Sequence, residues 1–476
     1  MQTPTLKALL TQDPGLPKPN PTSSYWQTPP HTLSNTQSPS LPLKTDVAII
    51  GSGITGLSVL LTLLDDHPDL TITVLEARAL CSGATGRNGG QLAANAGEEY
   101  LHLVEEFGRE SAGEIVRFTF ENLRRMRELA RRFEVEESEV QEVAKVRVFL
   151  EEDGFERFKR SVEALEGDLP DLKGVYTVLD REVLKREYRL DGAGGALLPA
   201  GTIWPYRLVT KTFACLLEKY GHRLNIETQT PVTSIASDAT NPSHPYTLHT
   251  PRGSLRATQI AHCTNGHAGH LLPGLRGPIY PFKGTMTVQD AGSIMPNRGE
   301  DLSWGFHYPV IYDKQSNRYA AGLYYLMQNT KTGYFFFGGE DTQIDHCLSA
   351  DDSQVEGDSI KHLQEKLPHF LGYDGPEQWR LASGWSGIMG FSADGLPVVG
   401  RAETAMIGRQ GDGEYVAAAF NGYGMANCLL AGEALARIMM GKDVSAWLPK
   451  AYGIHETRLK GPLTVGHAIE SFELDP

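Results

Sequence analysis

No stretch of this sequence approaches the ~18 consecutive apolar residues of a membrane-spanning helix, so a soluble protein is the default expectation. Cysteine is scarce. Cys81, Cys215, Cys263, Cys347 and Cys428 form an odd, scattered set without a C-x-x-C pair. That pattern excludes a disulfide framework and reads as reduced thiols. Positive charge is in deficit: 44 Lys and Arg against 58 Asp and Glu give a net charge of −14. Nucleic acid and anionic membranes are therefore not expected partners. The surplus of acid weakly favours the approach of cationic substrates, subject to screening. A Gly-x-Ser-x-Gly elbow is missing, so an α/β-hydrolase mechanism has no support. His262, Cys263, His267 and His270 lie close in sequence but no second ligand pair stands near them, so no metal site is expected. The N-terminus carries no hydrophobic signal core, and Leu-Asp-Pro at the C-terminus is not a peroxisomal tripeptide. The expectation is an intracellular, cytoplasmic, soluble protein.

What the chain does have is glycine in register with secondary structure. A short apolar strand, Val47 to Ile50, runs into Gly51-Ser52-Gly53-Ile54-Thr55-Gly56. A helical stretch reaches Leu64, and a second apolar strand, Thr71 to Leu75, ends in Glu76, twenty residues past Gly56. This is a βαβ dinucleotide-binding unit. Gly51 permits the tight turn, Gly53 lets backbone approach a pyrophosphate, and Gly56 lets helix pack on sheet. The helix N-terminus offers free N–H groups to phosphate, and Glu76 suits ribose hydroxyls. Leu57 and Ser58 stand where a nucleoside triphosphatase needs Lys and Ser/Thr, which excludes that loop.

Around this unit the organisation is legible in outline. Residues 1–44 hold nine prolines and many Ser and Thr, an arm without its own core, with Tyr25 and Trp26 as its possible anchors or an exposed pair. Residues 113–133 have helical periodicity, with arginines forming a solvated face. Residues 279–382 read as β-rich and dense in aromatics. Phe420-Asn-Gly-Tyr-Gly-Met425 opens a helix to about Met440. The expected fold class is α/β: a Rossmann-like domain from 45–135, 195–275 and 385–476, and a β-rich substrate domain from 136–194 and 276–384.

Several separated blocks then resemble one family, the FAD-dependent amine and D-amino-acid oxidases, over roughly residues 45–460. They are the Gly51/Gly53/Gly56 turn with Glu76; Ser82-Gly83-Ala84-Thr85-Gly86-Arg87-Asn88-Gly89-Gly90-Gln91; Pro231-Val232; Thr264-Asn265-Gly266; Trp385-Ser-Gly followed by Asp394-Gly395-Leu396-Pro397; and Asn421-Gly422-Tyr423-Gly424-Met425. The 82–91 block is also similar to γ-glutamylputrescine oxidoreductases, and the 385–395 run to fungal members of the group. The resemblance implies FAD as cofactor. The 51–56 turn would take the pyrophosphate, Glu76 the ribose, and Ala77-Arg78 the adenine side. The 82–91 loop would face the ribityl chain and ring, and Val232 would give adenine a backbone hydrogen bond. The helix opening at Gly422–Met425 would aim its positive end at the pyrimidine ring. Some relatives attach flavin through a cysteine after the Trp. Here residues 388–392 are Ile, Met, Gly, Phe and Ser, so the expectation is non-covalent FAD.

The implied reaction is hydride transfer from a C–H beside an amine nitrogen to flavin N5, giving an imine that water hydrolyses, with molecular oxygen as acceptor and hydrogen peroxide as product. The alternative is a flavin dehydrogenase or secondary-metabolism oxidase acting on a non-amine. Tyr308, Tyr312, Tyr324, Trp385 and Tyr423 are candidates for an aromatic substrate wall. Arg87 suits a substrate carboxylate or flavin phosphate, the latter preferred. Lys283 suits either oxygen activation or a plain surface position.

Overall fold

The computed structural model describes residues 5–238, 240–373, 375 and 379–473; the first four residues of the arm and the C-terminal tripeptide lie outside them. The strand Lys44–Ile50 is buried on both faces from Val47 onward. That continuous Val-Ala-Ile-Ile run is what a central parallel strand requires. It pairs in parallel with Ile72–Leu75 on one side and Gly253–His262 on the other. Leu224–Glu227 extends the sheet beyond Ile72–Leu75, and Glu414–Ala418 extends it beyond Gly253–His262. Val398–Arg401 closes that edge antiparallel. The strand order thus reverses at Lys44–Ile50, and ligands of such sheets sit in the crevice at the carboxyl ends of the strands flanking the reversal. Helix Ile54–Asp66 leaves the first strand there and buries Leu57, Leu60 and Leu64.

A second, larger sheet runs in the order Arg380–Ser392, Ile279–Asp290, Phe335–Gly338, Arg318–Gln328, Leu302–Asp313, Gln141–Phe149, Gly194–Thr202 and Gln91–Leu92. Its two faces do different work, because side chains alternate along a strand. Met286, Val288, Met327 and Phe336 join the core that holds Leu57 and Leu60. Trp304, Phe306, Tyr324 and Phe337 face the other way, under helix Gly357–Phe370. Gly194–Thr202, Gln91–Leu92 and the whole of Arg380–Ser392 belong to this sheet, so three strands lie across the boundaries expected from sequence. The helix expected over 113–133 is the second part of Tyr100–Arg132, which breaks at Gly108 (φ 80°). Among the described residues no helix is long and apolar enough to cross a membrane.

The arm borrows its core from the body. Trp26 is 1% exposed. It stacks on Phe336 with centroids 4.0 Å apart and meets Trp204 edge-on at 5.0 Å. Its Nε1 donates to the Asn88 carbonyl. Farther upstream, Thr22 N–H donates to the Asp352 carbonyl, and Leu10 packs with Tyr280 and Phe282. Tyr25 and Trp26 are therefore anchors.

Replacing Trp26 by Ala removes this stack and leaves a cavity between arm, loop and sheet. The expected cost is about 3–5 kcal/mol in the denaturant-unfolding free energy; a loss under about 1 kcal/mol contradicts the anchoring. A second expectation concerns Glu340, buried beyond Phe335–Gly338 with the Thr285 N–H donating to it. Burial pushes its carboxyl from 4.5 up to about 7, against the Thr285 hydrogen bond and Lys283. The folded state then holds this proton more tightly than the unfolded state. Its contribution is full below pH 4.5 and is lost as pH rises through about 7. Glu340→Gln should flatten the fall of stability over that window by up to about 3 kcal/mol. An unchanged pH profile of the melting temperature refutes the assignment.

Candidate cofactor and substrate site

The glycine turn is forced by close backbone approach. Gly51 has φ +109°, and a Cβ there would lie 2.5 Å from the Cys263 carbonyl oxygen. A Cβ on Gly56 would lie 2.0 Å from the Gly51 oxygen, and one on Gly53 would lie 3.1 Å from Thr85 Oγ1. Of the helix's first N–H groups, Ile54's donates to Thr85 Oγ1 at 3.0 Å. Ser52 donates its N–H (3.0 Å) and hydroxyl (2.7 Å) to Glu76, and Arg78 N–H donates to the other Glu76 oxygen at 3.0 Å. Gly51 to Arg78, through Ala77, is thus one hydrogen-bonded unit. Cys81 N–H donates to Ser52 Oγ and ties the 82–91 loop to it. Within that loop Ala84–Gly86 forms a single 3-10 turn after Gly83. Asn88 Oδ1 accepts from Gly90 N–H. A Cβ on Gly89 would meet the Tyr325 ring at 2.7 Å. Gln91 Nε2 donates to Trp304 and Leu326 carbonyls across the second sheet.

Three distant blocks interlock beside this unit. Asn265 Oδ1 accepts from Ala419 N–H at 3.1 Å. Gly266 lies where a Cβ would be 2.4 Å from the Met389 carbonyl. Asn421 N–H donates to the Gly390 carbonyl (2.9 Å), and its Oδ1 accepts from Ser392 N–H (2.8 Å). Asn265, Asn421 and Gly422 all take positive φ, which Asn and Gly tolerate best. One expectation is corrected here. The α-helix begins at Cys428, not at Gly422–Met425, which hold only a 3-10 turn at Gly424–Ala426. Asn427 (φ −135°) separates the two, its side chain bound to the Tyr423 carbonyl and the Tyr452 hydroxyl. The helix still abuts the glycine turn: Ser58 Oγ donates to the Leu429 carbonyl, and Gly432 admits the Thr55 carbonyl.

Between the glycine-rich segments and the second sheet stands a group of side chains that are partly accessible yet desolvated. His307 keeps 23% of its side-chain surface open, and Tyr325, Tyr423 and Cys263 are half-buried. Yet burial pushes the two phenols and the thiol well up and the imidazole down. Accessible surface in a desolvated setting is what the wall of an internal cavity would show. Around it, Ser82 Oγ and Thr264 Oγ1 are buried without a hydrogen-bond partner among the described residues. Val232, buried at 2%, likewise has no partner there for its backbone N–H or C=O. Buried polar groups are seldom left unpaired. These orphans, with the Gly53 approach, fit a long polar ligand.

The sequence-based site is only partly assembled. Tyr308 and Tyr324 lie on the far face of the second sheet. Their rings stack at 4.8 Å, and their hydroxyls bond the Glu340 carbonyl and His362 Nε2. Tyr312 packs with the C-terminal helix. One-residue register decides this: Tyr325 and His307, not Tyr324 and Tyr308, face the cavity. Trp385 is fully buried and donates Nε1 to the Arg87 carbonyl, bracing the loop. Lys283 is buried and paired with Glu356 at 3.1 Å. It alternates with Met286 and so shares the outer face with Gln289, which bonds Leu363. Arg87 does not reach for phosphate. Its guanidinium is spent on Thr22, the Ser386 carbonyl and Asp352, and burial pushes its pKa down to about 10 against the pull of Asp352. Arg78 also binds Asp352, at 2.9 Å. The Gly395 turn is structural: Arg458 holds Asp394 and the Leu396 and Pro397 carbonyls. Sequence reasoning missed Lys145, Arg147, Glu98, Tyr176 and His307, which cluster on the cavity side. Alternation along 141–149 was the available signal, but it reads as an amphipathic strand.

Comparison with known proteins agrees with this fold. A family model described as "DAO: FAD dependent oxidoreductase" matches residues 46–438. The γ-glutamylputrescine oxidoreductase of Escherichia coli (strain K12) is 23% identical over 431 residues, 88% of this chain and 89% of its own. Glycine oxidase from Geobacillus kaustophilus superposes with TM-score 0.66 at 19% identity, covering 87% of this chain and 99% of its own. Iminodiacetate oxidase from Chelativorans sp. BNC1 does so with TM-score 0.62 at 15% identity, covering 86% and 100%. The chain belongs to the DAO family of FAD-dependent oxidoreductases.

Proposed function

We propose that this enzyme oxidises a C–N bond of an amine or amino acid, with FAD held non-covalently and oxygen as the electron acceptor. The observation that carries the reading is the set of partly accessible yet desolvated side chains, His307, Tyr325 and Tyr423, beside the glycine-rich segments. Gly53 and Thr55 would offer N–H groups to the pyrophosphate, Glu76 the ribose acceptor and Val232 the adenine contact. Gly89, Gly90 and Gln91 would lie along the ring side. Bound FAD supplies the two-electron acceptor for the C–H beside the nitrogen.

The chain's own contribution is to keep the amine uncharged. Burial, and then the Arg147 charge, push the Lys145 amine well below its ordinary pKa, and the same two causes lower His307. A space that disfavours these cations also disfavours an ammonium substrate, leaving the reactive lone pair free without a dedicated base. The relatives' named compounds, γ-glutamylputrescine, glycine and iminodiacetate, are amines or amino acids, which supports the same class.

The purified protein should be yellow and release FAD on denaturation. Polyamines, N-methyl amino acids and D-amino acids should be screened for anaerobic bleaching. The expected outcome is bleaching by at least one, with peroxide formed in air. Bleaching by alcohols or hydroxy acids alone would sink the amine reading, and bleaching without peroxide would remove oxygen as acceptor. The cofactor contacts have their own test. Ser82→Ala and Thr264→Val delete orphaned hydroxyls, so apoprotein stability should hold within about 0.5 kcal/mol. FAD affinity should fall roughly tenfold for each, about 1.4 kcal/mol. Unchanged FAD binding in both variants contradicts the placement.

A further inference from the structure

The N-terminal arm crosses the first sheet on the edge where its ligand belongs. Gly15 lies beside the turn that follows Gly253–His262, and its carbonyl accepts from His267 Nδ1 at 3.1 Å. The Lys18 carbonyl accepts from Arg78, just past Ile72–Leu75, at 3.3 Å. Ser24 and Trp26 then donate to the Gly86 and Asn88 carbonyls of the 82–91 loop. Farther on, the Ser34 carbonyl accepts from Leu80 N–H, and Ser38 N–H donates to Glu227, the last residue of Leu224–Glu227. Of these three strands, Gly253–His262 lies on one side of Lys44–Ile50 and the other two on the opposite side. The arm therefore passes the carboxyl ends of strands on both sides of the Gly51 turn, where the crevice of such a sheet holds its ligand.

The way the arm is held lets it come away. Between Gln12 and Leu43 it forms one 3-10 turn, Tyr25–Gln27, and gives no strand to either sheet. It is exposed at Lys18 to Asn20 and again at Thr28 to Pro30, so nothing packs over it there. A segment without ladder hydrogen bonds opens locally while both sheets stay intact. Its upstream tether is polar: Asp13 accepts from Gly15 N–H and pairs with His270 at 3.0 Å and Arg276 at 2.7 Å. Its downstream tether is the stack of Trp26 on Phe336. Pro14, Pro17, Pro19, Pro21, Pro29 and Pro30 restrict the released chain, which lowers the entropy lost on closing again. Every one of these contacts joins the arm to the protein itself, so closure does not wait for a ligand.

We propose that residues 13–38 are a strap across the FAD crevice, so that the cofactor enters and leaves only while the strap is detached. This goes beyond the amine-oxidation reading and rests only on the FAD cofactor of the family. A strap differs kinetically from a brace of the binding loop. Loosening a strap speeds entry and exit together, whereas loosening a brace speeds exit alone. Asp13→Ala cuts the upstream tether, whose partners His270 and Arg276 are not among the residues placed along the cofactor. Flavin fluorescence then follows FAD binding to the apoprotein and its displacement from the holoenzyme. Both rate constants should rise about 3- to 10-fold in Asp13→Ala, with Kd unchanged within about twofold. Trp26→Phe, which keeps an aromatic ring on Phe336 and removes the donation to Asn88, should raise both as well. If the variants do not fold, the wild-type protein decides. Its rate of FAD association should level off at high FAD, and chymotrypsin should cut after Trp26 no faster than that plateau. Exit accelerated without entry, both rates unchanged in Asp13→Ala, or an association rate that stays linear in FAD would each overturn the strap. Failure of every amine to bleach the flavin leaves these rates untouched, so the two readings fail separately.

Discussion

The architecture of the site depends on one close contact between backbones. Where the first strand ends, Gly51 comes so near the Cys263 carbonyl that no side chain fits between them, and Gly56 comes equally near Gly51 itself. These contacts bring the carboxyl ends of Lys44–Ile50 and Gly253–His262 together with the start of the first helix. Everything that follows Cys263 is placed by the same approach. The Thr264–Gly266 turn locks into Gly390 and Ala419, and Asn421 locks into Ser392. Segments more than 300 residues apart in sequence are thereby brought beside the glycine turn.

The opposite wall depends on a different rule. Each strand of the second sheet divides its side chains between cavity and outer helix, so a shift of one residue exchanges them. Tyr324 is in the outer core and Tyr325 at the cavity; Tyr308 is outside and His307 inside. An aromatic-rich sequence says that such a wall exists but not which ring faces inward.

That contrast separates what was legible in the sequence from what was not. The first βαβ unit could be read because every part of it is local: strand, turn, helix and acid lie within 31 residues, from Asp46 to Glu76. Family blocks such as 82–91 and 264–266 stand beside the glycine turn, and their tight backbone geometry is of the kind that glycine and asparagine advertise. Arg87, Lys283 and the Gly395 turn were misread because their side chains or carbonyls are consumed by partners far away in sequence: Thr22 and Asp352, Glu356, and Arg458. Arg147 was passed over because a charged residue on an alternating strand is normally solvent-facing; here it is buried, with Gly305 of the parallel partner strand leaving room for its guanidinium.

The buried charges argue for function rather than for stability. An ion pair taken out of water gains little net stability, since desolvation offsets the attraction. Some of these pairs brace structural turns and edges, as Arg458 does with Asp394 and Arg409 with Glu414, while others stand beside the glycine-rich loop and the second sheet. Two arginines share Asp352 near the glycine-rich loop, and Arg147 holds Glu98 on the sheet. Stability is supplied elsewhere, by the apolar core on both faces of the second sheet and by Trp26 and Leu10 of the arm. The Thr22 carbonyl and hydroxyl complete the shell of Arg87. Thr22 and Trp26 of the proline-rich arm therefore brace the 82–91 loop, which the arm appeared in sequence only to precede.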